Sequence, residues 1–89
     1  MKGTEKQVKW AEDIKASFIE NATAEAARLE AKGAERGNKQ MLAKAEEIRQ
    51  GMERALNQPV TKDAVFWINR RSISVEGIIR DADKGKVSV

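Results

Sequence analysis

From Thr4 to about Lys32 the chain runs without a glycine or a proline, and its apolar residues recur at helical spacing throughout. At about 100° per residue, Val8, Ala11, Ile14, Phe18, Ile19, Ala22, Ala26 and Leu29 share one side. Glu12, Asp13, Glu20 and Arg28 fall largely outside that stripe. Thr4-Glu5-Lys6-Gln7 has the form of a capping box, which sets the start. A helix of about 28 residues would be roughly 42 Å long, more than a compact domain of this mass spans. This one element therefore limits the fold to something elongated and helical. The stripe is wide up to Phe18, implying two neighbours, and narrows beyond Ala22 to Ala22, Ala26 and Leu29, implying one.

Gly33, Gly37 and Asn38 then interrupt the pattern, and all three tolerate the left-handed backbone that stops a helix. A plain turn is the reading here, since a phosphate-binding loop would need a flanking strand and a lysine-serine pair. A second helix over about 39–57 aligns Met41, Leu42, Ala45, Ile48, Met52, Ala55 and Leu56. So short a connection makes it antiparallel to the first. With the turn near residue 35 or 36, Leu29 should meet Leu42, Ala26 meet Ala45, Ala22 meet Ile48 and Ile19 meet Met52. Such a register leaves Val8, Trp10, Ala11 and Ile14 for something C-terminal to cover.

Asn57-Gln58-Pro59 ends the second helix, and Thr61 is the expected cap of a third over about 61–70, with Val60 and Val65 at staple spacing. Its run Ala64-Val65-Phe66-Trp67-Ile68 is wholly apolar and stops at Arg70-Arg71. Val65 and Ile68 are assigned to the core. Phe66 and Trp67 are divided between packing and a partner anchor. Ser74 caps a fourth helix over about 74–83, stapled by Ile73 and Ile78, with Gly77 pointing to close packing against another backbone. A tail over about 84–89 follows, in which Lys86-Val87-Ser88-Val89 alternates like a short strand. The fold expected is a single all-α domain over residues 1–89: a long antiparallel hairpin, thinly packed at its tip, with two short C-terminal helices at its base. There Val8, Ile14, Phe18 and Leu56 should meet Val65, Ile68, Ile78 and Ile79.

Composition narrows the chemistry. Cysteine and histidine are both absent, which removes thiolate and imidazole metal ligands, disulfides and the commonest general base. Ser17, Ser72, Ser74 and Ser88 have no histidine to activate them. Glu12-Asp13 and Glu46-Glu47 are neighbours on helices, so their side chains diverge by about 100°. Asp81-Ala82-Asp83-Lys84-Gly85 opens like a calcium loop but lacks positions for the later glycine and glutamate, and reads as a solvated helix end. No enzyme, cofactor or metal is expected. Without an apolar run near the ~20 residues of a membrane span, and with a charged helix straight after Met1-Lys2-Gly3, a cytoplasmic protein is the simplest expectation.

The net charge of +3 arises from 17 basic and 14 acidic residues that alternate along the chain, as on a solvated helix surface. Two kinds of partner follow. Trp10, Trp67, Arg70, Arg71 and Arg80 suit a protein interface, where Trp and Arg carry much of the binding energy. Alternatively, the two C-terminal helices form a helix-turn-helix-like pair, yet Glu76, Asp81 and Asp83 would then face phosphates and no Asn or Gln is placed to read bases. A protruding hairpin tip could also pair with a second copy.

Gly3-Thr4-Glu5-Lys6-Gln7-Val8-Lys9-Trp10-Ala11-Glu12-Asp13-Ile14-Lys15, together with Phe66-Trp67-Ile68-Asn69-Arg70-Arg71, resembles a pattern in small uncharacterised helical proteins of phages and bacterial mobile elements. The likeness covers the two ends of the chain and brings no catalytic motif. Small cofactor-free phage proteins of this size often act by stoichiometric binding to a host machine, and anti-CRISPR inhibitors of defence nuclease complexes are similar in size and character, an analogy of protein type rather than of motif.

Overall fold

The computed structural model describes residues 1–85, so the alternation at Lys86-Val87-Ser88-Val89 lies outside the described residues. Four helices account for most of the chain: α1 over Glu5–Arg36, α2 over Lys39–Leu56, α3 over Ala64–Ile68 and α4 over Val75–Lys84, with a 3-10 turn at Pro59–Lys62. The all-α hairpin with short C-terminal helices at its base is what the sequence leads one to expect. Its overall dimensions are 48 × 22 × 19 Å. That long axis matches the rise of α1's 32 residues at about 1.5 Å each.

Helix α1 starts at the expected capping box: the Gln7 amide donates to Thr4 Oγ1 at 3.2 Å, and the Thr4 amide donates to Gln7 Oε1 at 3.0 Å. Its end lies four residues beyond the expected Lys32. Gly33 does not stop the helix but sits buried within it. A Cβ at Gly33 would lie 3.0 Å from Leu42 Cγ and 3.1 Å from the Leu42 amide nitrogen. The missing side chain therefore lets α2 start close against α1, which outweighs the roughly 1 kcal/mol that helical glycine costs. Gly37, at φ 63°, is the residue that terminates α1. Asn38, in extended backbone, caps α2 by accepting from the Gln40 and Met41 amides.

Along the hairpin, Ala22, Ala26, Ala45 and Ile48 form one cluster with Leu29 and Met52 packed against it, close to the expected register. Leu42 lies over Gly33 and is 38% exposed. At the base a larger cluster gathers Ala11, Phe18, Ala55, Ala64, Phe66, Trp67, Ile78 and Ala82, with Val8, Ile14, Leu56, Ile68 and Ile79 against it. Within α3 the core role of Ile68 holds, as a partly buried residue packed against the cluster, but Phe66 and Trp67 are the deeper pair. Phe66 and Trp67 are fully buried, while Val65 and Ile68 are only half-buried. Trp67 packs edge-on to Phe66, with ring centroids 5.1 Å apart, and tilted against Phe18 at 5.5 Å.

The local cause is the segment before α3. Pro59 opens a tight 3-10 turn that swings Thr61 inward. Buried there, the Thr61 hydroxyl lies 3.0 Å from the Ala55 carbonyl and 2.8 Å from that of Gln58, and its own carbonyl accepts from Trp67 Nε1 at 2.9 Å. Thr61 is thus a core hydrogen-bonding residue, and Asp63 replaces it as the α3 cap, accepting from the Val65 amide. The first residues add a brace that composition does not signal: the Lys2 amide donates to the Lys62 carbonyl at 2.7 Å, and the Ala64 amide to the Lys2 carbonyl at 2.8 Å.

Ser74 caps α4 as expected, accepting from the Gly77 amide. At Gly77 the close neighbour is a side chain rather than another backbone, since a Cβ there would meet Ile73 Cγ2 at 2.5 Å. Asp81 is not part of a solvated helix end. It is buried, and its carboxylate accepts from Arg70, two residues beyond the end of α3.

Candidate partner-binding surface

Because Phe66 and Trp67 point inward, helical spacing carries Arg70 inward as well, at i+4 and i+3 from them. Its guanidinium lies 4.2 Å from the centroid of the Phe66 ring, Nη1 donates to the Phe66 carbonyl at 3.1 Å, and Nε donates to Asp81 Oδ2 at 3.1 Å. The Arg70 side chain is 0% exposed and that of Asp81 12%. A buried charge of this kind is tolerated only with its partner in place. Arg70 and Trp67, both expected at an interface, are therefore components of the core that joins α3 to α4.

Trp10 and Arg71 have the opposite surroundings. Trp10 is 48% exposed, whereas Phe18, Phe66 and Trp67, the other aromatic residues of the chain, are buried. Arg71 donates through Nη1 to the Ile68 carbonyl at 2.7 Å, which holds its guanidinium 5.4 Å from the centroid of the Trp10 ring. That separation is within the range of a cation–π contact, worth about 0.5–1 kcal/mol at an exposed site. An indole and a guanidinium thus stand together on the surface, one from α1 and one from the connection between α3 and α4.

Beside them runs a groove of about 340 Å³ between α1 and that connection, lined by Ile14, Ser17, Asn21, Arg71, Ile73 and Ser74 among others. Residues 10, 14, 17 and 21 share one face of α1, spaced i, i+4, i+7 and i+11. Sequence reasoning places Ile14 in the core, weighs Ser17 only as a nucleophile and passes over Asn21. The available signal was the continuation of the Trp10 face along α1.

Arg80 belongs elsewhere. Its side chain is 65% exposed and borders a second groove, of about 390 Å³, between α2 and α4. Charges of both signs alternate there: Lys44 pairs with Glu76 at 3.5 Å, Arg54 with Asp83 at 2.8 Å, and Arg80 with Asp81 at 3.6 Å. Two hydrogen bonds from Arg54 hold the Asp83 carboxyl below the usual carboxylate range, and Asp83 in turn raises Arg54. Arg80 therefore does not join the Trp10–Arg71 surface. Among the described residues no group of three or more acidic, His or Cys side chains could hold a metal ion, and no helix is long and apolar enough to cross a membrane. Compared with family models, curated proteins and solved structures, the chain matches none.

Proposed function

We propose that this chain is a non-enzymatic binding protein that associates stoichiometrically with a macromolecular partner, using the exposed Trp10–Arg71 pair as its anchor. The observation that carries this reading is the partition of the aromatic residues: Trp10 alone is left on the surface, with an arginine stacked beside it. Exposed Trp and Arg are the residue types that most often dominate binding energy, and here both are pre-positioned, Trp10 by α1 and Arg71 by its bond to Ile68. Together with the resemblance at the two chain ends, this favours a phage-encoded inhibitor that acts in the cytoplasm by occupying a protein surface of a host CRISPR-type nuclease complex.

Helix-turn-helix-like DNA binding fits the surface less well. The presumed reading helix, α4, displays Glu76 and Asp83, both engaged with cations of α2. Phosphate contacts need unneutralised basic side chains in a row. Capture of a partner from host lysate by the wild-type protein, but not by Trp10→Ala of unchanged helical circular dichroism, is the expected result. Equal capture by both proteins removes Trp10 from the interface.

A further inference from the structure

We infer that the groove between α1 and the α3–α4 connection receives an acidic, apolar segment of a protein partner, its carboxylate meeting Arg71 and its apolar side chain seated against Ile14, Ile73 and Val75. This deepens the reading of Trp10–Arg71 as an anchor and rests on it. Charge is the first argument. Among the described residues, Arg70 and Arg71 are the ionisable ones that line the groove, and no carboxylate lines it. Arg70 is turned to Asp81 and Phe66 inside the core, so Arg71 is the cation presented outward. Arg71 uses Nη1 on Ile68, and the planar guanidinium carries further N–H donors arranged to fit a carboxylate.

The lining supplies the second argument. Ile14, Ile73 and Val75 are half-buried and form an apolar floor, while Ser17, Asn21 and Ser74 are exposed and form a polar rim. An apolar floor with a few convergent polar groups is the usual composition of a recognition pocket, and about 340 Å³ lies at the small end of the size range, fitting a few side chains rather than a whole helix. A nucleic-acid backbone would instead need a track of cations along the groove.

The test pans a displayed library of short random peptides against the full-length protein and measures the binding of selected peptides by fluorescence polarisation. Selected peptides should place Asp or Glu next to Leu, Ile or Phe. Arg71→Glu should weaken them about tenfold or more, the effect expected of a central interface contact. Ser17→Trp, which fills the groove from an exposed position on α1, should do the same with the helical circular dichroism unchanged. Selected sequences without acidic residues, binding indifferent to both substitutions, or an empty selection would overturn the proposal. Peptides that lose affinity in Trp10→Ala but not in Ser17→Trp would overturn the groove assignment while leaving the Trp10 anchor standing. Displacement of the selected peptides by a DNA duplex at low salt, abolished by Arg71→Glu, would assign the groove to nucleic acid and overturn the proposal equally.

Discussion

Arg70 and Arg71 are consecutive in the chain, and each stands against an aromatic ring, yet they belong to different parts of the molecule's physics. Arg70 lies on Phe66 inside the base, excluded from solvent and neutralised by Asp81. Arg71 lies over Trp10 outside it, on a ring that is 48% exposed. The difference follows from one step of helical rotation at the end of α3. The inward face, Phe66, Trp67 and Arg70, builds the fold; the next residue turns outward and is free to take part in recognition. The same pairing of residue types can thus be structural or functional, and burial decides which.

The largest effect should come from breaking the inner side of this comparison. Trp67→Ala removes the side chain that packs on both Phe18 and Phe66 and leaves the Thr61 carbonyl without its indole donor. A loss of about 3–5 kcal/mol is expected, set against a total stability of roughly 4–13 kcal/mol for a chain of this length. Denaturant unfolding measures it, and a cost under about 1 kcal/mol would mean that the base is not organised around Trp67.

Next in size is Asp81→Leu, which strands the buried Arg70 charge. It should cost about 3 kcal/mol, and Arg70→Met combined with Asp81→Leu should recover most of that, because replacing a buried pair by apolar groups is often neutral. If the double variant were as unstable as the single one, the stacking of Arg70 on Phe66 would be the more important contact.

The smallest effect concerns the outer ion pair between Arg54 and Asp83. Asp83 titrates lower in the folded chain than in the unfolded one, so its contribution is present above the unfolded value of about 3.9 and is lost as pH falls through the lower folded value. Asp83→Asn should therefore lower the melting temperature slightly at neutral pH and converge with the wild type once pH falls below the folded value, which flattens part of the acid limb of the profile. An unaltered acid limb would show that this partly exposed pair does not link α2 to α4 in solution.

How much of this was legible in the sequence depends on the range of the interactions. The α1 cap, the hairpin and the Ser74 cap are local patterns, and each can be read from spacing of a few residues. Gly33 misleads because its role is contact with Leu42 across the hairpin, not local backbone freedom. Thr61 misleads likewise, since its hydroxyl is drawn into carbonyls of α2's end by the turn that Pro59 starts. Phe66 and Trp67 could not be separated from Val65 and Ile68 without knowing the rotation of a five-residue helix, and Arg70 inherits that uncertainty. The Trp10–Arg71 pair joins residues far apart in the chain, so only its members, not their meeting, were visible beforehand.

The most direct test of the division between an inner and an outer pair is capture from host lysate by wild-type protein and by Trp10→Ala, with the unfolding free energy of each measured alongside. Trp10→Ala should keep wild-type stability to within about 1 kcal/mol, the most that an exposed cation–π contact contributes, and should lose the captured partner. Undiminished capture by a folded Trp10→Ala would contradict the outer pair's role in binding.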